Sequence, residues 1–166
     1  MAKITLKGNA VNTNGDLPKI GSVAPDFKLV NKDLQDVVLA QFAGKRKLLN
    51  IVPSLDTAVC LKSTQEFNTA ASAHKNLVVL VISGDLPFAM SRVCSEGKFD
   101  NVTSLSMMRS RNFAKDYGVL INDGPLAGIT ARAVVVLDEN NKVLYTELVP
   151  EITQEPNYQK ALAAVK

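Results

Sequence analysis

Three short runs of consecutive apolar and mostly β-branched residues constrain the fold of this chain more than any other feature of its sequence. The runs are Leu48–Val52, Leu77–Ser83 and Ala133–Leu137. A strand with one face in water alternates apolar and polar residues, whereas a strand covered on both faces is apolar at consecutive positions. The runs therefore predict strands of a central β-sheet that is sandwiched between two layers.

Helix signals lie between and after these strands. Capping and stop residues predict four helices: Thr57 to about Lys75, Pro87 to about Ser95 with Gly97 as a stop, Arg109 to Tyr117 with Gly118 as a stop, and Asn157 to Val165. Residues Val143–Leu148 alternate after a turn and should form a strand antiparallel to Ala133–Leu137. The predicted sheet is therefore mixed.

The first part of the chain carries weaker strand signals. Ile4 and Leu6 alternate before turn residues, which predicts a peripheral β-hairpin within residues 1–17. Phe27–Val30 and Val37–Leu39 predict two further short strands. These elements precede the sandwiched sheet.

The length of 166 residues fits one domain, and no repeat or linker divides it. After the N-terminal strands the predicted order is β-α-β-α-α-β-β-α, which a thioredoxin-like core uses and which other mixed α/β folds share in part. We predict a single α/β domain over residues 1–166. It should have the thioredoxin-like fold, with a mixed central sheet flanked by helices.

Composition argues against several classes of partner. The chain is 46% hydrophobic and 21% charged, as in ordinary globular proteins, and its net charge of +3 is not gathered into a basic patch. We therefore expect no nucleic-acid partner. The longest apolar run, Leu77–Ile82, is too short for a membrane span, and the first residues lack the apolar region of a signal peptide. The expected location is the cytoplasm.

The segment from Pro53 to Cys60 directly follows a predicted buried strand. Thr57 is a natural N-cap, which places Cys60 in the first helical turn beside unpaired N–H groups and the positive end of the helix dipole. This environment stabilises an anion such as a thiolate. The same spacing puts the Thr57 hydroxyl on the face of the sulfur, and Pro53 can shape the turn and cover it.

Each of these features also has a plain structural interpretation. An isolated Thr-x-x-Cys is most often a cap followed by a buried structural cysteine, and Cys94 reads as part of an apolar helix face. The single histidine, His74, belongs to the same predicted helix as Cys60 but lies about 20 Å along it. No metal site and no bound cofactor are predicted.

The complete string Pro-x-x-x-Thr-x-x-Cys at a strand-to-helix junction is far more specific than its parts, and it resembles the signature of the peroxiredoxins. Further matching segments cover nearly the whole chain: Gly44–Lys47, Asp85–Ala89, Ser91-Arg92, Cys94, Gly124–Leu126, Ala131–Val136 and Glu151–Thr153. Together they are similar to the bacterial thiol peroxidases, the atypical two-cysteine subgroup of that family.

The resemblance implies a role for five residues. Cys60 would be the peroxidatic cysteine, which attacks a hydroperoxide as a thiolate and becomes a sulfenic acid. Thr57 would hydrogen-bond the peroxide, Pro53 would shield the site from water, and Arg132 would lend positive charge to the thiolate and the transition state. Cys94 would be the resolving cysteine, which closes an intramolecular Cys60–Cys94 disulfide.

The resemblance also implies substrates and partners. The expected activity is the reduction of hydrogen peroxide and organic hydroperoxides, with thioredoxin as the outside reductant and a homodimer as the assembly. A disulfide needs a Cα separation of about 4.4–6.8 Å, so we predict that the helix starts near both cysteines unwind during the cycle. Two alternatives remain: a general thiol–disulfide oxidoreductase, disfavoured because no Cys-x-x-Cys is present, and a non-enzymatic α/β binding module with inert cysteines.

Overall fold

The computed structural model describes residues 1–166, which form nine strands and four α-helices. The strands are β1 (Lys3–Leu6), β2 (Asn9–Asn12), β3 (Lys28–Val30), β4 (Asp36–Val38), β5 (Arg46–Ile51), β6 (Leu77–Ser83), β7 (Val102–Ser106), β8 (Ala133–Leu137) and β9 (Val143–Leu148). The helices are α1 (Ala58–Ala73), α2 (Pro87–Gly97), α3 (Asn112–Asp116) and α4 (Tyr158–Val165). No helix is both long and apolar enough to cross a membrane.

Strands β3 to β9 form one seven-stranded sheet in the order β4-β3-β7-β6-β5-β8-β9. Strands β5, β6 and β7 are parallel, as their helical crossovers require, whereas β8 runs antiparallel to both β5 and β9. The sheet is therefore mixed, and the predicted thioredoxin-like α/β fold is confirmed. Because β8 opposes β5, the start of β8 lies beside the end of β5.

The three apolar runs are buried because alternate side chains face two different layers. In β5, Leu48 packs in the apolar cluster that also contains side chains of α1, α2 and α4. Its neighbour Leu49 packs in a second cluster, which contains side chains of α3 and of the chain before β3. Strands β6 and β8 alternate in the same way. Both faces are thus covered, as consecutive apolar residues predict.

The N-terminal hairpin is confirmed, and it is docked onto the rest of the fold. Strands β1 and β2 pair antiparallel, with Ile4 opposite Val11. Both side chains are buried in a small apolar cluster with Ile121, Ala131 and Ile152. The hairpin therefore covers the segments that precede β8 and follow β9.

Four details of the prediction are wrong. Strand β7 was not predicted, Leu39 begins a 3-10 helix instead of ending β4, and α3 starts only at Asn112. Helix α2 continues through Gly97, and Lys98, which caps it, adopts a left-handed conformation with φ of 55°. A Cβ on Gly97 would come within 2.6 Å of the Phe99 ring, so this glycine allows close packing of the ring.

Candidate active site

The strand-to-helix junction after β5 places Cys60 at the third position of α1. Pro53 is buried two positions after the strand, and Thr57 occupies the N-cap with extended backbone angles. The Cys60 side chain is fully buried within the apolar cluster between α1 and the sheet. The sulfur therefore lies where the helix dipole favours negative charge and bulk water is excluded.

Arg132 reaches this sulfur from the residue before β8. Its Nη1 donates to Sγ of Cys60 at 3.1 Å, and its Nε donates to the carbonyl oxygen of Ile152 at 2.9 Å. Arg132 is only 3% exposed, so the charge is largely removed from solvent screening. The antiparallel β5–β8 pair creates this contact between residues 72 positions apart.

The Thr57 hydroxyl does not cap α1, which corrects one expectation. It donates instead to the carbonyl oxygen of Ser54 at 3.0 Å, and it accepts no hydrogen bond from the first helical turn. The hydroxyl oxygen therefore keeps its lone pairs for an incoming donor. The side chain is exposed at the N-terminus of α1.

The loop before Thr57 is braced by Asp85, which follows β6. The Asp85 carboxylate accepts hydrogen bonds from Ser54 Oγ at 2.8 Å, from the Leu55 amide at 2.7 Å and from Ser83 Oγ at 2.6 Å. These bonds join the loop that carries the site to the start of α2. They fix its backbone without contacting the sulfur.

The carboxylate of Glu155 lies close enough to Arg132 for their charges to interact. The pKa of Glu155 is lowered by hydrogen bonds from Tyr158 and Lys62, with a smaller contribution from the charges of Lys62 and Arg132. Tyr158 also packs edge-on against Phe67 of α1, with the ring centroids 5.4 Å apart. This group ties the chain after β9 to α1 beside the site.

Cys94 lies in α2 and is not bonded to Cys60; both cysteines are free thiols. Cys94 is half-buried and borders a surface groove that also contains Lys32, Asp33 and Ser104. Burial raises the pKa of the Cys94 thiol, while hydrogen bonding with Ser104 partly opposes that increase. The structure thus brings Cys60, Thr57, Pro53 and Arg132 to one junction and leaves Cys94 on a separate helix.

Comparison with known proteins agrees with the function that this geometry indicates. The redoxin family profile matches residues 19–162, which is most of the chain. The chain is a peroxiredoxin of the redoxin family. It is 52% identical over 166 residues to a thiol peroxidase of Leptospira interrogans, covering 99% of this chain and 97% of that protein. The resemblance to the thiol peroxidases is confirmed, and the chain is an enzyme of that kind. The alternative hypothesis of a non-enzymatic binding module with inert cysteines is wrong.

Solved structures of peroxiredoxins have the same architecture. A peroxiredoxin-like protein from Aquifex aeolicus superposes with a TM-score of 0.93 at 42% identity, covering 99% of this chain and 96% of the other. A thiol peroxidase from Chromobacterium violaceum superposes with a TM-score of 0.89 at 29% identity, covering 95% and 91%. The thioredoxin-like fold of this peroxiredoxin is therefore shared over nearly its whole length.

Sequence reasoning missed two contributors to the site of this peroxiredoxin. Asp85 and the Ile152 carbonyl both lie in segments that the resemblance singled out, Asp85–Ala89 and Glu151–Thr153, but no role followed from their spacing. Their contacts depend on loops that meet only in the folded chain. An acidic residue two positions after a buried strand was the one available signal for Asp85.

Proposed function

We propose that Cys60 is the peroxidatic cysteine of this peroxiredoxin. Its thiolate attacks the terminal oxygen of a hydroperoxide, and the O–O bond breaks as the S–O bond forms. The leaving alkoxide or hydroxide takes a proton and departs as alcohol or water. The sulfur is oxidised to a sulfenic acid, and the peroxide is reduced by two electrons.

The observation that carries this proposal is the 3.1 Å contact between Arg132 Nη1 and Cys60 Sγ at the start of α1. A hydrogen bond to a charged group contributes about 1.5–3 kcal/mol, and this one can form only at the sulfur of Cys60. The helix dipole acts in the same direction. Cys60 is therefore the thiol of this chain that is arranged to react as an anion.

Thr57 and Pro53 complete the site in this proposal. The Thr57 hydroxyl donates to Ser54, so its oxygen can accept a hydrogen bond from the peroxide O–H and orient it towards the sulfur. Buried Pro53 has no N–H to solvate and keeps water from the turn. Arg132 would stabilise the charge that develops on the oxygens as their bond breaks.

Cys94 is the resolving cysteine in the next step. Its sulfur attacks the Cys60 sulfenic acid, a disulfide forms, and water leaves with the Cys94 proton. The two thiols belong to different helices, and a disulfide requires a Cα separation of about 4.4–6.8 Å. We infer that the first turn of α1 and part of α2 unwind to allow this bond.

The disulfide is then reduced by an outside dithiol through thiol–disulfide exchange. This chain has two cysteines and no Cys-x-x-Cys pair, so it cannot supply that dithiol itself. Thioredoxin is the reductant that we propose, in the cytoplasm, where dithiols are kept reduced. The cycle reduces hydrogen peroxide and organic hydroperoxides and acts as an antioxidant defence.

A homodimer is supported by exposed apolar side chains beside the site. Leu86 and Met108 border the same groove and are 52% and 37% exposed. Phe88, two residues after Leu86 in α2, is 64% exposed. Exposed large apolar side chains at neighbouring surface positions are typical of contact regions, and we propose that a second copy of the chain covers them.

One experiment tests the roles of both cysteines. Reduced protein is exposed to one equivalent of hydroperoxide, and intact mass and free thiols are compared for wild type, Cys60→Ser and Cys94→Ser. We expect wild type to lose about two hydrogens, Cys94→Ser to gain about 16 mass units, and Cys60→Ser not to react rapidly. Equal reactivity of Cys60→Ser and wild type would contradict the proposed function.

A further inference from the structure

Glu151 lies in the loop after β9, and its carboxylate accepts five hydrogen bonds. None of the roles described above accounts for them. Thr5 Oγ1 donates to its carboxylate at 2.7 Å, and the Lys7 and Gly8 amides donate at 3.0 Å each. Within its own loop, Thr153 donates through its amide at 3.2 Å and its hydroxyl at 2.9 Å. Three donors from the distant hairpin and two from the loop itself thus converge on one carboxylate.

The hairpin turn is shaped to present its amides to Glu151. Lys7 and Gly8 join β1 to β2 with φ angles of 50° and 82°, both in the left-handed region. Such a two-residue turn matches the twist of the flanking strands and leaves its amide groups free to bind a partner. Successive backbone amides in a turn form a favourable site for an anion, and here the anion is the side chain of Glu151.

The residue after Glu151 connects this arrangement to the active site. The Ile152 amide donates to the Thr5 carbonyl oxygen at 2.9 Å, and the Ile152 carbonyl oxygen accepts from Arg132 Nε at 2.9 Å. The Ile152 side chain is 3% exposed and packs with Ile4 of the hairpin. The carbonyl that orients the guanidinium is therefore held in place by the hairpin.

We propose that Glu151 is a positioning residue for the peroxidase reaction, which anchors the loop at residues 150–153 to the N-terminal hairpin so that Ile152 aims Arg132 at Cys60. The inference rests on the roles proposed above for Arg132 and Cys60. A guanidinium is planar, so fixing Nε also fixes the direction of Nη1. Displacement of a catalytic contact by about 1 Å can reduce a rate by as much as 100-fold.

The charge of Glu151 persists over the working range of pH. Hydrogen bonds, that of Thr5 first, lower the pKa of Glu151 to about 2. The carboxylate therefore remains a full acceptor for the hairpin at every pH at which the enzyme is assayed. Replacement by glutamine removes the charge and substitutes an amide NH2, which donates and cannot accept, for one of the two accepting oxygens.

The test compares Glu151→Gln with Asp123→Asn. Asp123 is a matched control because its carboxylate also binds the hairpin, accepting from the Asn12 amide at 2.7 Å and from Asn12 Nδ2 at 2.6 Å. The Asp123 carboxylate is hydrogen-bonded neither to Arg132 nor to Ile152. Each substitution is made in the Cys94→Ser background, so that Cys60 is the sole thiol, and the rate of Cys60 alkylation is measured against pH together with kcat/KM for hydrogen peroxide in the two-cysteine enzyme.

We expect Glu151→Gln to move the alkylation profile of Cys60 to higher pH and to lower kcat/KM about 10-fold at pH 7. Asp123→Asn should lower the melting temperature but leave the profile unchanged. A profile for Glu151→Gln that coincides with that of Asp123→Asn would overturn the inference. If the glutamine variant does not fold, Thr153→Val, which removes one donor to the same carboxylate, should give a smaller shift in the same direction, and no shift would again overturn it.

Arg132→Met separates failure of this inference from failure of the proposed function. If Arg132→Met moves the profile and Glu151→Gln does not, the role of Arg132 holds and the positioning role of Glu151 is wrong. If neither substitution moves the profile, the role proposed for Arg132 is wrong as well, and the anchoring of the loop has only a structural purpose.

Discussion

At the scale of single residues, the geometry of the site depends on which acceptors the N–H and O–H groups of Arg132 and Thr57 bind. Arg132 donates through Nε to a backbone carbonyl and through Nη1 to the sulfur, and in the proposed mechanism Nη2 is left for an oxygen of the substrate. The Thr57 hydroxyl donates to a backbone carbonyl and keeps its accepting lone pairs. A peroxide terminal oxygen carries one proton, so a neighbouring acceptor and donor can together orient it.

We expect Thr57→Val to lower kcat/KM for hydroperoxide by about 10-fold to 100-fold, since a hydrogen bond to the reacting group is lost. The melting temperature should change little, because the Thr57 hydroxyl does not cap α1. Thr57→Ser should retain most of the activity. Thr69→Val, which removes an exposed hydroxyl that donates to Gln65 in the same helix, is the control; a comparable loss of activity there would contradict the role of Thr57.

The sequence predicted the local part of the site better than the distant part. The position of Cys60 in the first turn of α1 followed from the order of strand, loop and cap residues. Arg132 could be assigned only through the resemblance, because nothing within its own segment indicates that β8 pairs with β5. The cap assigned to the Thr57 side chain was wrong: its hydroxyl donates to the Ser54 carbonyl oxygen, and its oxygen accepts from no amide of the first helical turn.

At the scale of elements, the end of α2 shows how the helix that carries Cys94 is terminated. The Phe99 amide donates to the Cys94 carbonyl oxygen at 2.9 Å, and the Lys98 amide donates to the Ser95 carbonyl oxygen at 3.2 Å. This pair of bonds is a Schellman motif, whose left-handed position is usually glycine. Here that position is Lys98, with φ of 55°. The C-terminal cap that binds the Cys94 carbonyl oxygen therefore contains a strained residue.

Replacement of this residue tests whether α2 must unwind for the disulfide to form. We expect Lys98→Gly to stabilise the folded protein by about 0.5–1 kcal/mol, after the entropy cost of glycine is subtracted. If the cap must open, disulfide closure after a peroxide pulse should slow by roughly 2-fold to 5-fold, as measured by rapid-quench mass analysis. Leu34→Gly relieves a similar φ of 63° in the β3–β4 turn and should not alter that rate.

An unchanged rate of disulfide closure in Lys98→Gly, together with the expected gain in stability, would show that this end of α2 stays folded during resolution. Any unwinding would then be confined to α1 and to the part of α2 before its C-terminal cap. The rate of sulfenic acid formation at Cys60 serves as an internal control, because the substitution lies outside the contacts of that sulfur.

Elements differed in how well the sequence predicted them. The apolar strands β6 and β8 were predicted to the residue, because continuous burial leaves a continuous apolar run. Strand β7 was missed since three of its five side chains carry hydroxyl groups and its apolar content is low. It is a strand because β6 pairs with it along its full length, and that pairing is a tertiary effect which overrides weak local preference.

At the scale of the whole molecule, the exposed apolar side chains of Leu86, Phe88 and Met108 test the proposed homodimer. Phe88→Glu places a charge within this group, so we expect the variant to sediment as a monomer under conditions in which wild type sediments as a dimer. Ile20→Glu alters a side chain that is equally exposed, at 64%, in a distant part of the chain, and should remain a dimer. Dimeric Phe88→Glu would exclude this surface as the interface.

The docked hairpin and the late position of Arg132 have a consequence for synthesis. Cys60 leaves the ribosome long before Arg132 and Glu151, which lie in the last quarter of the chain. Until β8 is made and inserted beside β5, the Cys60 thiol has no guanidinium next to it. Until the loop after β9 meets the hairpin, the Ile152 carbonyl is not in place to orient the Arg132 side chain. In the proposed mechanism, a nascent or truncated chain therefore lacks the cation that activates Cys60, and we expect full reactivity with peroxide only when the two ends of the polypeptide have come together.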